Sequence, residues 1–481
     1  MDFVGMAAIF AAFAAVTIAL KFTTFGDTNR SADDLFYLLV GQRMHEGLLP
    51  YVDVWDRKPL GLFLIYYLIA GISASVLPYQ LIACLFTAAS ALVIALIVRP
   101  LGGWKGAVLA GLCFIASTVV SEGATGQAPD FYNLLIAIAA LLLVRHDSEL
   151  RRGAPGWGLW LAMALCGIAI TIKQTSLFEA LFFGAYVLTI LHRAGVKGSR
   201  LAGVAAACAV IGALPMLAIA AFYAQAGHWH EFWTAMTTSN LVRGEAGGKG
   251  LRALGTVLRL APLLLLAVWG LLGARADRSF KTFVAGWVVA AAIGFLAVPN
   301  FAAHYALALL VPLSVAAGLV LGQHRWGLLL AAGAAWYTSL WYSPPSLARS
   351  RASAEAMARV AAAIGRQDSG GGLLVFDGPS YLYALSGKPF LSPLVFPHHL
   401  SSAIEANVSH LNTDEEIDRV LKAGPGVIVM AVKPYIYPIN RYTRSRVIRY
   451  ARAHCRTIEV IPLLDAGERT DFAVLGNCGP R

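Results

Sequence analysis

Between residues 31 and 60 the chain reads SADDLFYLLVGQRMHEGLLPYVDVWDRKPL, and groups able to do acid–base and anion chemistry gather there. The stretch holds five carboxylates, Asp33, Asp34, Glu46, Asp53 and Asp56, interleaved with Arg43, Arg57, Lys58, Tyr37, Tyr51 and Trp55. A carboxylate can take a proton from an attacking hydroxyl, and a nearby lysine or arginine can hold an anionic leaving group. Apolar segments flank the stretch on both sides, and charge kept beside a bilayer argues for function.

What positions these groups is mostly oil. Of 481 residues 58% are hydrophobic and 14% charged, a balance foreign to soluble domains. The apolar runs are long and do not alternate, which predicts a polytopic α-helical membrane protein rather than a barrel. Twelve runs fall at about residues 3–20, 60–78, 80–98, 104–120, 131–145, 157–172, 176–191, 201–224, 254–273, 282–298, 304–321 and 326–342. The first lacks a Lys/Arg-rich start and a small-residue cleavage site, so it is expected to be a retained span.

The net charge of +11 sits in short basic clusters between apolar runs. That is the signature of membrane topology and gives no reason to expect a nucleic-acid partner. Arg145/Arg151/Arg152, His192/Arg193/Lys197/Arg200, Arg275/Arg278/Lys281 and His324/Arg325 occupy alternate loops, which are expected to be cytoplasmic. Asp130, Lys173–Gln174, the 225–253 loop, the Pro299–His304 turn and the tail then fall on the outer side. If residues 31–60 share that side, the three runs before Asp130 cannot all cross. Arg99 and Lys105 favour a cytoplasmic turn between the second and third, so 60–78 is expected to lie interfacial or re-entrant. About eleven transmembrane helices follow, with residues 1–343 forming the membrane domain, 21–60 its first outer loop and 344–481 a separate domain.

The tail changes grammar. Leu373–Phe376, Val427–Met430, Ile458–Ile461 and Phe472–Leu475 read as strands, and Asn412–Ala423 as a helix with Thr413 and Glu416 at capping-box spacing. The prediction is a C-terminal α/β extracytoplasmic domain. It carries no GxGxxG or GxxxxGK[ST] fingerprint, so nucleotide binding has no support. Cys84, Cys113, Cys166 and Cys208 lie in apolar runs as small hydrophobes, whereas Cys455 and Cys478 are an available disulfide pair if the tail is outside.

Asp33-Asp34-Leu-Phe-Tyr37, then Pro50-Tyr51-Val-Asp53, then Asp56-Arg57-Lys58-Pro59-Leu60 resembles the membrane glycosyltransferases of the GT-C superfamily. It is most similar to the branch that holds the protein O-mannosyltransferases and the aminoarabinose transferases of lipid A. The architecture of residues 1–330 fits the same group. The resemblance implies transfer of a sugar from a polyprenyl-phosphate donor to a cell-envelope glycan, lipid or protein at the periplasmic face of the inner membrane. It makes Asp33 the catalytic base, with Asp34 in support, and Lys58 the contact to the carrier phosphate. The residue types suit that chemistry, which needs a base for the acceptor and cations for the departing phosphate.

Each assignment has a plainer alternative. Asp33 suits the N-cap of a helix Leu35 to His45, and Lys58 suits a snorkelling anchor. Arg57 adjoins Lys58, while Arg243, with Lys249 and Arg252, lies in a loop whose glycines at 244, 247, 248 and 250 make it a candidate lid. Arg57 and Arg243 are therefore expected at the donor phosphate. Asp130, Asp53, Asp56, Tyr37 and Lys173 are expected to bind the acceptor or to support the site, although Asp130 also suits an acidic first turn. No cofactor is certain. Some relatives hold a divalent metal with a carboxylate and a histidine, and His304, His228 and His230 are the available imidazoles. Arg57 at the position before Lys58 departs from that pattern, and Trp and His also populate interfacial belts. A transporter or flippase of a lipid-linked precursor would likewise need charges facing a cavity, but no paired halves stand out in the sequence.

Overall fold

The computed structural model describes residues 3–123, 126–244, 247–298, 300–367, 371–465 and 468–478. Pro299, which opens the expected outer turn, and residues 245 and 246 of the candidate lid lie outside the described residues. Among those described, eight helices are long and apolar enough to cross a bilayer, against eleven crossings expected. They cover nine of the expected runs, because α4 (Leu77–Val120), 44 residues long, joins two runs at the non-helical Gly103 (φ 62°). Two further runs form helices Trp157–Ile172 and Gly327–Trp341, of 16 and 15 residues. At 1.5 Å per residue these reach only about 22–24 Å, short of a hydrocarbon core of about 30 Å. The run at 60–78 yields α3 (Leu60–Ala70), 11 residues long and shorter still.

Two compact units emerge. The first comprises the chain up to Phe22, Gln80–Ile219 and Gly248–Pro344. It contains α1 (Phe3–Lys21), α4, α5 (Ala128–Arg145) and the later spans. Glycines set its closest helix contacts: a Cβ on Gly322 would overlap the Gly102 carbonyl, and one on Gly270 the Ala316 carbonyl. Without hydrophobic driving force between helices in lipid, such small residues allow dense backbone packing. Buried polar groups here pair across helices, as Trp287 Nε1 donates to Glu179 at 2.6 Å and Asn133 to the Leu307 carbonyl at 3.0 Å.

The second unit comprises Thr23–Tyr79, Ala220–Gly247 and Pro345–Arg481. Its N-terminal part is α2 (Ala32–His45) against α3. Gly41 makes this approach possible: a Cβ there would stand 2.6 Å from the Tyr66 carbonyl oxygen. Gly41→Ala should therefore push α2 from α3 and cost about 1–3 kcal/mol. The check is thermal unfolding of purified protein, where an unchanged midpoint would contradict the packing.

The tail is α/β, as its sequence predicts. β1 (Leu373–Val375) pairs in parallel with β2 (Val427–Ala431), and β4 (Glu468–Gly476) runs antiparallel to both β2 and β3 (Arg456–Asp465), giving the order β1-β2-β4-β3. The helix Thr413–Ala423 is capped by Asn412, whose Oδ1 accepts from the amides of Asp414 and Glu415, so the expected Thr413 cap is one residue too late. Thr413 instead exchanges hydrogen bonds with Asn407.

Cys455 and Cys478 form a disulfide across 23 residues. Closing a loop of that size removes enough unfolded-chain entropy to contribute about 3 kcal/mol. Cys455→Ser is expected to lower the stability of the tail by about that amount, read from denaturant unfolding. Non-reducing peptide mapping should recover the linked peptide, and two free thiols in protein from intact cells would argue against an outer location.

Candidate active site

The first turn of α2 carries the acidic pair. Ser31 is the N-cap, extended at φ −145°, and its hydroxyl accepts from the Asp34 amide at 3.5 Å. The helix thus starts three residues before Leu35, and Asp33 stands inside the first turn rather than capping it. Asp34 is fully buried while Asp33 is only partly so. Both carboxylates gain from the positive end of the helix dipole. One turn on, Tyr37 packs edge-on to Phe63 and Tyr66, at 6.1 and 5.6 Å between ring centroids. Its buried hydroxyl has no hydrogen-bond partner among the described residues. Burial, followed by the charges of Asp33, Asp56 and Asp34, raises the Tyr37 pKa well above the usual phenol range, so the group stays a proton donor.

The loop before α3 brings in the cations. Tyr51 adopts φ 73°, its amide donates to the Val54 carbonyl at 2.7 Å, and its hydroxyl donates to the Lys58 carbonyl at 2.8 Å. Asp56 Oδ1 accepts from the amides of Arg57 and Lys58 and lies 3.7 Å from Lys58 Nζ. That ammonium sits 5.3 Å from the centroid of the Tyr37 ring, which is how Lys58 is aimed at the acidic turn. Asp53 plays a different part. Exposed, it accepts from the Leu49 amide at 2.7 Å and closes the loop.

The tail adds residues that the sequence does not single out. Glu405, 4% exposed, pairs through Oε2 with Arg57, lies 2.6 Å through Oε1 from Arg243 Nη2, and has His399 Nδ1 at 3.7 Å. Burial opposes its charge, but the His399 imidazole, Arg57 and Arg243 outweigh burial and hold its carboxyl well below the usual range. His398 is pushed down to about 4, chiefly by burial, with Glu405 and Asp33 acting in the opposite direction. The His399 ring meets Trp55 edge-on at 4.8 Å. The one local signal pointing to this segment is the His398-His399 pair beside a proline.

The remaining candidates have other neighbours. Asp130 belongs to the first unit, buried in the first turn of α5 after Gln127 and within electrostatic reach of Lys21. Lys173, also in the first unit, lies 4.9 Å from the centroid of the Tyr305 ring. His304 is 2.9 Å from Glu122 in that unit, whereas His228, in the second, is 3.7 Å from Glu231. No group of three or more His, Cys, Asp or Glu side chains able to hold a metal forms among the described residues. Arg252 Nε donates to the Asn300 carbonyl at 2.7 Å in the first unit. The second unit thus holds a partly exposed carboxylate one turn from a protonated phenol, an ammonium over that phenol's ring, and two guanidiniums joined by Glu405, residue types that suit proton abstraction and anion binding.

No family profile matches the sequence, and no curated protein matches it. Solved structures do match. ArnT from Cupriavidus metallidurans aligns over 99% of both chains in its apo state, with a TM-score of 0.64 and 13% identity. In its form bound to undecaprenyl phosphate it aligns over 100% of both chains, with a TM-score of 0.60 and 13% identity. The oligosaccharyltransferase of Archaeoglobus fulgidus, tethered to an acceptor peptide, aligns over 89% of this chain and 69% of its own, with a TM-score of 0.53 and 11% identity.

Proposed function

We propose that this chain, which has the fold of the GT-C membrane glycosyltransferases, moves a sugar from a polyprenyl-phosphate donor to an acceptor on the extracytoplasmic face of the inner membrane. The observation that carries the reading is the Lys58 ammonium 5.3 Å from the ring of Tyr37, one turn along α2 from Asp33, so that a candidate phosphate cation faces the helix bearing the candidate base. The ligand of the bound ArnT structure, undecaprenyl phosphate, is the kind of carrier such cations suit.

In the proposed reaction Asp33 takes the proton from the acceptor hydroxyl as its oxygen attacks the anomeric carbon. A glycosidic bond forms, the bond from that carbon to the phosphate oxygen breaks, and the electron pair leaves with the polyprenyl phosphate. Lys58, with Arg57 and Arg243, holds the charge that gathers there. Tyr37, kept protonated, has a hydroxyl left to donate to a bound substrate, and Asp56 fixes the loop backbone. The basic loops and the Cys455–Cys478 pair support an outer position for the tail. The experiment is a transfer assay with purified protein in lipid nanodiscs and a labelled polyprenyl-phosphate sugar. Release of polyprenyl phosphate that depends on acceptor supports the reading, and passage of the intact donor across sealed vesicles without cleavage would replace it.

A further inference from the structure

A carboxylate from the tail stands between the two guanidiniums assigned to the donor phosphate. Glu405 closes the short turn Ala403–Glu405, and the backbone around it is pinned on two sides. The Gly244 amide donates to the Ile404 carbonyl at 3.0 Å, and the Ala403 amide donates to the Pro438 carbonyl at 2.8 Å. Ser402 also bridges Ile439 in antiparallel fashion. Glu405 is therefore presented by a fixed frame, one oxygen to Arg57 and one to Arg243.

A guanidinium offers five N–H donors in a rigid plane, so a carboxylate on one edge leaves another edge for a phosphate. Two guanidiniums brought together without an anion would repel, and burial would leave that repulsion poorly screened. With Glu405 between them the group keeps one net positive charge toward an incoming phosphate. Resting on the transferase reading above, we infer that Glu405 is a positioning residue for donor binding: it holds Arg57 and Arg243 as a paired clamp for the lipid-linked phosphate. The tail is thereby part of the donor site.

The test uses the full chain in nanodiscs, with undecaprenyl phosphate as the probe and undecaprenol as the uncharged control. Glu405→Gln keeps the shape and removes the charge. It is expected to raise both the Kd for undecaprenyl phosphate and the donor KM by at least about tenfold. Undecaprenol binding and acceptor KM should hold, and Glu405→Asp should recover part of the loss. Unchanged donor binding in folded Glu405→Gln overturns the inference. So does a uniform fall that includes acceptor KM and undecaprenol binding, which is the mark of a merely structural role. Should Glu405→Gln not give monodisperse protein, Glu405→Asp takes its place, keeping the charge while shortening its reach to the two arginines. A raised Kd for undecaprenyl phosphate with undecaprenol binding unchanged then supports the clamp, and wild-type affinity refutes it. Wild-type protein that neither binds undecaprenyl phosphate nor transfers sugar would instead remove the transferase reading itself.

Discussion

Asp33→Asn should lower the rate of sugar transfer by about 10²–10⁴-fold and leave folding, insertion and donor binding close to wild type. The substitution is nearly isosteric, and the α2 cap is Ser31, so no capping hydrogen bond is lost. What disappears is the carboxylate able to accept the acceptor's proton. Asp34 is a poor stand-in, because it is fully buried while Asp33 is partly exposed. A base must reach the proton it abstracts, so geometry separates the neighbours before any difference in basicity does. Single-turnover measurement with saturating donor isolates the chemical step. Turnover within a few-fold of wild type would remove Asp33 from the base role and shift attention to Asp130 in the other unit.

The acidic turn, the Lys58 loop and the strands of the tail each depend on residue type within a few positions, and the Cys455–Cys478 pair on being the two cysteines outside the apolar runs, so all are legible in the letters. Which runs cross is less so. The runs at 157–172 and 326–342 form helices with nearly the expected ends, but 16 and 15 residues fall short of a hydrocarbon core, and an apolar run carries no mark of whether it spans. The cap of α2 differs from expectation for a related reason: Asp33 and Ser31 both favour N-caps, and only the backbone decides between them. Glu405 is beyond the reach of local pattern altogether. It lies 348 positions from Arg57, and its meaning comes from the two arginines it joins, a relation with no period or spacing. The same holds for Tyr37, whose phenol matters because Lys58 lies over its ring and the charges of Asp33, Asp56 and Asp34 act on it.

Lys58→Met should reduce transfer by about 10²–10³-fold, with the donor KM rising as well. The phosphate gains charge as the sugar leaves, so a cation there is worth more in the transition state than in the bound donor. Methionine keeps an unbranched apolar stem against Tyr37, and Asp56 retains its hydrogen bonds to the amides of Arg57 and Lys58, so the loop should hold its shape. The ion pair lost to Asp56 is long, at 3.7 Å, and the buried carboxylate keeps its two backbone donors, so it is not left unpaired. This separates the role from that of a membrane-surface anchor. An anchor needs only a long basic side chain, so Lys58→Arg would then restore everything and Lys58→Met would first reduce the amount of inserted protein. A phosphate contact aimed by the Tyr37 ring is a point charge on a fitted stem, so arginine should restore insertion fully and activity only in part. Normal insertion with lost transfer in Lys58→Met, and partial rescue in Lys58→Arg, is the expected pattern. Full activity in Lys58→Met would leave Arg57 and Arg243 as the only cations able to take the phosphate among the candidates in this unit.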